Sequence, residues 1–143
     1  MSKNNTGTVI LGGYVNAYSI VQELYEKNIS NIIVIDTFKS LSTRSNKISD
    51  YKIILNDSQS LKLALIELHQ KYNQLIIYPT SDIHIEYINE VYHDIKSFCF
   101  IPFNQHNVIK CLDKFEQYKA CKEADIPYPK TLLINNLSDL DDL

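Results

Sequence analysis

Glycine is scarce in this chain, with three residues in 143, two of them adjacent at Gly12 and Gly13. That scarcity leaves no phosphate-cradling Walker loop and no complete three-glycine dinucleotide fingerprint. Arginine is scarcer still: Arg44 stands alone. A phosphate-backbone binder needs clustered cations, so nucleic acid is not an expected partner. The formal net charge of −3 is matched by Asp139, Asp141 and Asp142 at the tail, and the remaining charge is balanced. No acidic membrane surface is therefore expected as a partner either. Cys99, Cys111 and Cys121 show no CxxC spacing. An odd number of cysteines without a signal peptide fits a reducing compartment, and the expected location is cytoplasmic. Apolar runs are only strand-sized, so no membrane span is expected. His69, His84, His93 and His106 lack metal-ligand spacing and read as surface or helix-edge residues; no metal site is expected among these 143 residues. There is no GxSxG elbow. A response-regulator reading fails because the first strand ends in two glycines where a pair of acids is needed.

What is present is an ordinary globular composition, 45% hydrophobic and 22% charged, at a length that suits one domain. The abundance of Tyr, Ile and Asn beside few Gly and Ala reads as codon bias and carries no function. Apolar runs at residues 8–11, 31–35, 52–55, 75–78 and 98–101 alternate with helical spacing at 17–28, 60–72 and 83–95. Leu61, Leu65, Leu68 and Tyr72 make one apolar stripe, and Ile85, Ile88, Val91 and Tyr92 another. Residues 37–50 are polar and read as a loop with a helical turn. This alternation predicts right-handed βαβ crossovers and a Rossmann-like three-layer α/β domain with a mostly parallel sheet over residues 1–104. Helices at 105–112 and 114–124 come next, then a strand at Lys130–Ile134, so residues 105–143 read as linker helices and the start of a following domain.

Three local patterns carry chemistry, each with a plainer structural reading. In the turn from Gly12 to Ala17, two glycines suit a tight strand-to-helix turn, but Asn16 or Ala17 falls where a dinucleotide site has its third glycine. Asp36, closing the second strand, stands where a ribose-binding acid would lie, although a strand-end Asp often only caps the next turn of chain. Asn16 offers a helix N-cap. The turn's free N–H groups also suit a substrate carboxylate. In the second pattern, Thr80 and Ser81 offer hydroxyls to a carboxylate and Asp82 offers an acceptor to an amine, yet Ser81 or Asp82 equally suits an N-cap. In the third, Asp113 is a good N-cap, and Lys114 is either a solvated first-turn residue or a cation facing an anion. A lysine there opposes the helix dipole, which favours the second reading.

The order of these elements, from the Gly12-Gly13 turn through Asp36 and Pro79-Thr80-Ser81-Asp82 to the helix opened by Asp113-Lys114 and closed by Asp125-Ile126-Pro127-Tyr128-Pro129-Lys130-Thr131, resembles a known arrangement. It is similar to the pre-ATP-grasp domain and first steps of an ATP-grasp carboxylate–amine ligase of the carbamoyl-phosphate synthase and biotin carboxylase group. The resemblance covers nearly the whole chain, and the segment from Asp113 to Thr131 is its most specific part. It implies an N-terminal fragment of a ligase that activates a carboxylate as an acyl phosphate and joins it to an amine. Lys114 is then the nucleotide-binding position, and Gly12, Gly13, Thr80, Ser81 and Asp82 border the carboxylate substrate. It further implies ATP and Mg²⁺ in the full-length enzyme, a downstream ATP-grasp domain as partner, small-molecule carboxylate and amine substrates, and a homodimer surface. The second nucleotide lysine, the loop over the phosphates and the Mg²⁺ ligands lie downstream in that family. The 143 residues alone are therefore expected to be inactive and to hold no cofactor tightly. The alternative reading is a stand-alone Rossmann-like module that binds a nucleotide or NAD(P).

Overall fold

A computed structural model describes residues 5–132, 134 and 136, in two compact units, Met1–Phe103 and Asn104–Leu143. In the first unit, strands β1 (Thr6–Leu11), β2 (Ile32–Asp36), β3 (Asp50–Ile53), β4 (Gln74–Pro79) and β5 (Cys99–Phe100) form one sheet. Helices α1 (Val15–Glu26), α2 (Ser58–His69) and α3 (Asp82–Ile95) lie between them in sequence, and a short 3₁₀ turn spans Ser42–Arg44. All strand pairs are parallel and the order is β3-β2-β1-β4-β5. β1 and β2 are central and buried almost throughout, as strands covered on both faces must be. Their near-continuous apolar composition stems from that position.

Strand alternation divides the core in two. Val9, Leu11, Ile33, Ile35, Leu75 and Ile77 face α2 and α3, meeting Leu61, Leu65, Leu68, Ile88, Val91 and Ile95. Ile10, Ile32 and Val34 point the other way, onto Ala17 and Val21 of α1. The first cluster is much the larger. At about 1.5–3 kcal/mol for each fully buried large apolar side chain, it supplies most of the unit's hydrophobic stabilisation. Cys99 sits in this cluster, where burial pushes its thiol up to about 12.

Three details depart from the sequence expectation. Helix α1 starts two residues earlier than an Asn16 cap would require: Tyr14 is the N-cap and supplies no side-chain hydrogen bond. The Gly12-Gly13 turn sets where the helix begins, and Ser42 donates to Gly13 O at 2.9 Å to hold it there. On α3, Ile88 and Val91 are buried as expected and Ile95 is buried with them, while Ile85 and Tyr92, also expected inward, are half-buried, as are His84 and Tyr87. The strand expected at Lys130–Ile134 is not formed at the described residues there, which are Lys130, Thr131, Leu132 and Ile134. Strand propensity needs a neighbouring strand to complete the hydrogen-bond ladder.

The second unit holds α4 (Gln105–Leu112) and α5 (Lys114–Glu123). Asp113 caps α5, its Oδ1 accepting from Phe115 N and Glu116 N, both at 2.8 Å. Asp125, at φ 53°, ends the helix in a left-handed residue, with Ile126 N donating to Cys121 O. The Tyr128 ring then meets Tyr118 edge-on at 4.9 Å. No helix among the described residues is long and apolar enough to cross a membrane.

Candidate functional site

The chain reverses its direction of travel across the sheet between β1 and β4, because β2 and β3 were laid down on the other side of β1. Loops leaving the carboxyl ends of β1 and β4 therefore part from each other, which opens a crevice at the edge where such sheets hold ligands. Here the crevice is a cleft of ≈270 Å³, whose lining includes Gly12, Tyr14, Asp36, Thr80, Ser81 and His84. Beneath it, a cavity of ≈20 Å³ shares Asp36 and His84 and is closed by Leu11, Leu61 and Tyr87.

Each wall has its origin in local chemistry. Gly12 has φ +87°, and a Cβ there would lie 2.7 Å from Thr80 Oγ1 and 2.8 Å from His84 Cε1. Only glycine satisfies both the backbone angle and the space. Gly13 is crowded from the other side: Ser40 Oγ lies 1.6 Å, and Asp36 Oδ2 2.5 Å, from where its Cβ would be. Thr80 donates its proton to Leu11 O at 2.6 Å and so ties β4 to β1 at the mouth of the crevice. Ser81 Oγ pairs with His84 Nδ1 at 2.9 Å, one helical turn on.

Asp36 is 7% exposed; its Oδ1 accepts from Thr37 N at 2.7 Å, while Oδ2 has no hydrogen-bond partner. Ser40 Oγ, in a residue 6% exposed, also has none. Buried polar atoms are normally partnered, and these two lie together against Gly13. Facing them, α1 begins without a side-chain cap and without an acid in its first turn. The Asp36 carboxylate, packed against Gly13 just ahead of the N-cap, stands near the positive end of this helix's dipole.

Burial lowers the affinity of His84 for a proton, and the nearby Asp36 carboxylate offsets this in part. The folded protein thus binds this proton less tightly than the unfolded chain, whose histidine titrates near 6.5. Stability is expected to be complete above pH 6.5 and to fall as the pH drops from there toward the lowered value. His84→Gln should remove that part of the slope in urea-unfolding measurements between pH 7 and 5. Equal slopes in the two proteins would refute the assignment.

Of the residues singled out from the sequence, Gly12, Thr80 and Ser81 line the cleft, and Gly13 packs directly against Asp36 and Ser40. Asp82 opens α3 and is solvent-exposed, outside the lining. Lys114 belongs to the second unit, where its Nζ reaches Gln117 Oε1 at 3.5 Å. Sequence reasoning missed Ser40 altogether and treated His84 as a surface or helix-edge residue. The one available signal for His84 was its spacing, three residues after Ser81 and four after Thr80, which returns it to the helix's first turn. Among the described residues, no group of three or more His, Cys, Asp or Glu side chains could hold a metal ion.

No family model matches the chain. In sequence it is 22% identical over 134 residues to a D-aspartate ligase of Enterococcus faecium (strain Aus0004), covering 88% of this chain and 32% of that protein. In fold it matches an L-amino acid ligase from Bacillus licheniformis with a TM-score of 0.73 at 9% identity, over 99% of this chain and 36% of the other. The architecture is that of the N-terminal region of an ATP-grasp ligase. The resemblance read from Gly12 to Thr131, to the N-terminal domain of an ATP-grasp ligase, is thus supported in sequence and in fold. It spans about a third of the length of each relative.

Proposed function

We propose that this chain is the substrate-binding front lobe of an ATP-dependent ligase that joins the carboxyl group of an amino acid to an amine. The observation that carries the reading is the cleft at the β1/β4 switch point, in a chain related over 88% of its length to a ligase acting on an amino acid. The amino-acid relatives favour that substrate class over the carbamoyl-phosphate chemistry of the wider group.

In the reaction, a carboxylate oxygen of the acid attacks the γ-phosphorus of ATP and ADP leaves, which gives an acyl phosphate. The amine then attacks the carbonyl carbon, phosphate leaves, and the nitrogen loses a proton to solvent. Such transfers depend on positioning and on neutralising charge. The residues of this chain contribute positioning. Gly12, Thr80 and Ser81 border the acid, Gly13 lets the turn pack closely against Asp36, and Asp82 stands exposed at the start of α3. Lys114, at the first position of α5, faces the nucleotide. In this reading the Mg²⁺ ligands and the second nucleotide lysine belong to a following ATP-grasp domain. The reading includes a cytoplasmic enzyme and a homodimer surface, with residues 105–143 passing from the lobe toward the ATP-grasp domain.

Calorimetric titration of the 143-residue chain with MgATP tests the division of labour. The expected result is no binding at micromolar nucleotide. Micromolar affinity would replace the proposal with a self-sufficient nucleotide-binding module, the reading that Asp36 at the end of β2 would then favour.

A further inference from the structure

The open edge of the sheet at β3 lacks the guards that such edges usually carry. An unpaired edge strand normally shows charged side chains or proline to solvent. Here the alternate residues Tyr51, Ile53 and Leu55 are all apolar and all exposed, Leu55 at 73%. The charges of the strand are turned into pairs: Lys52 Nζ meets Glu67 of α2 at 2.7 Å, and Asp50 lies 3.7 Å from Lys71. A groove of ≈360 Å³ follows this edge, with Ile53, Leu55 and the exposed Leu63 of α2 in its lining. The backbone is open at one point. Ile54 N donates to Asp36 O, so by alternation Ile53 turns its N–H and C=O away from β2. On either side an outward group is already engaged: Tyr51 N donates to Asp50 Oδ1, and Leu55 O accepts from Asp57 N. At the other edge of the sheet, β5 is two residues long and offers no comparable row.

Whatever covers this edge must bring one donor and one acceptor to Ile53 and an apolar row to Tyr51, Ile53 and Leu55. A second copy of the same edge brings both. Antiparallel pairing about a two-fold axis at Ile53 sets Ile53 against itself in a two-bond pair, and Tyr51 against Leu55 of the second copy. Lys52 then lies opposite Ile54 and Asp50 opposite Asn56, so no like charges meet. A shift of one residue loses the match. A two-fold at Lys52 would oppose two ammonium groups, and one at Ile54 would aim Ile53 N–H at the Leu55 carbonyl, which is already engaged. We propose that the β3 edge is the surface through which two copies of this chain dimerise, joining their sheets antiparallel about a two-fold axis at Ile53. The proposal rests on the ligase reading for its setting, since that reading includes a homodimer surface without placing it, but the fit stands on the edge alone.

Sedimentation velocity over a dilution series of the chain should show a reversible monomer–dimer equilibrium. Because residue 53 meets its own copy, Ile53→Lys and Ile53→Glu should each raise the dimer dissociation constant at least about tenfold, by opposing like charges at the axis. An equimolar mixture of the two variants should dimerise again, lysine against glutamate. Hydrogen exchange on the unsubstituted chain is the second measurement and decides the matter if either variant fails to fold. The Ile53 amide should gain protection as concentration rises, whereas the Ile54 amide, held by Asp36 O, is protected throughout. A chain that stays monomeric at every concentration would overturn the proposal and leave the edge to an extended segment of another protein. A dimer that survives both substitutions, a mixture no more associated than its components, or an Ile53 amide indifferent to concentration would overturn it equally. None of these failures touches the ligase reading, which is tested by ATP-dependent acyl transfer in the complete enzyme. Absence of that transfer would in turn leave the dimer standing.

Discussion

Replacing Gly12 with valine is expected to destabilise the protein by about 3 kcal/mol or more, from a strained left-handed backbone at a β-branched residue and from overpacking. The two contributions are independent. The backbone sits at φ +87°, and a Cβ would press on Thr80 Oγ1 and on His84 Cε1. Neither neighbour yields easily: the Thr80 hydroxyl is committed to Leu11 O, and the His84 ring is held at Nδ1 by Ser81. A loss of that size should lower the Tm of a unit of about a hundred residues by more than about 10 °C. Gly12→Ala should show a smaller shift in the same direction. A valine variant with the parent's melting temperature would mean that the turn differs from the one described.

The second large effect concerns Lys114. In the complete enzyme, Lys114→Ala is expected to reduce turnover about 10²–10³-fold, the usual range for removing one group that stabilises charge in the transition state. Lys114 stands one residue after the cap Asp113, where the helix dipole disfavours a cation. Among the described residues its ammonium has only the long contact to Gln117, and no carboxylate pairs with it. Lys119 of the same helix is instead paired with Glu116 at 2.6 Å, which raises its proton affinity. Lys119→Ala therefore makes the matched control. Unchanged nucleotide affinity and turnover in the Lys114 variant would remove it from the site.

The parallel sheet was legible because buried central strands are written as unbroken apolar runs, and residues 8–11, 31–35 and 75–78 leave few other readings. The end of α1 was legible too. Asn28 adopts φ 62° there, with Ile29 N returning to Leu24 O. What the sequence could not reveal was long-range. Asp36 and Ser40 meet Gly13 only after the chain has passed through α1 and β2, and no spacing rule spans that path. The same holds for Ser42, which stabilises the start of α1 from twenty-nine positions beyond Gly13. Asn16 looked like a cap because caps are read locally, whereas this turn is set by Gly12 and by a distant hydroxyl. His84 was passed over because a lone histidine among isoleucines carries no signal until Thr80 and Ser81 are placed at the mouth of a crevice.

That this lobe belongs to an acyl-phosphate-forming amino acid ligase is tested most directly by trapping the intermediate. The complete native polypeptide is incubated with MgATP, a panel of amino acids and hydroxylamine, and hydroxamate and ADP are quantified. ATP-dependent hydroxamate formation with at least one amino acid, matched by ADP, is the expected result. The 143-residue chain alone should form none. Absence of both hydroxamate and ADP from the complete polypeptide across the whole panel would contradict the ligase assignment.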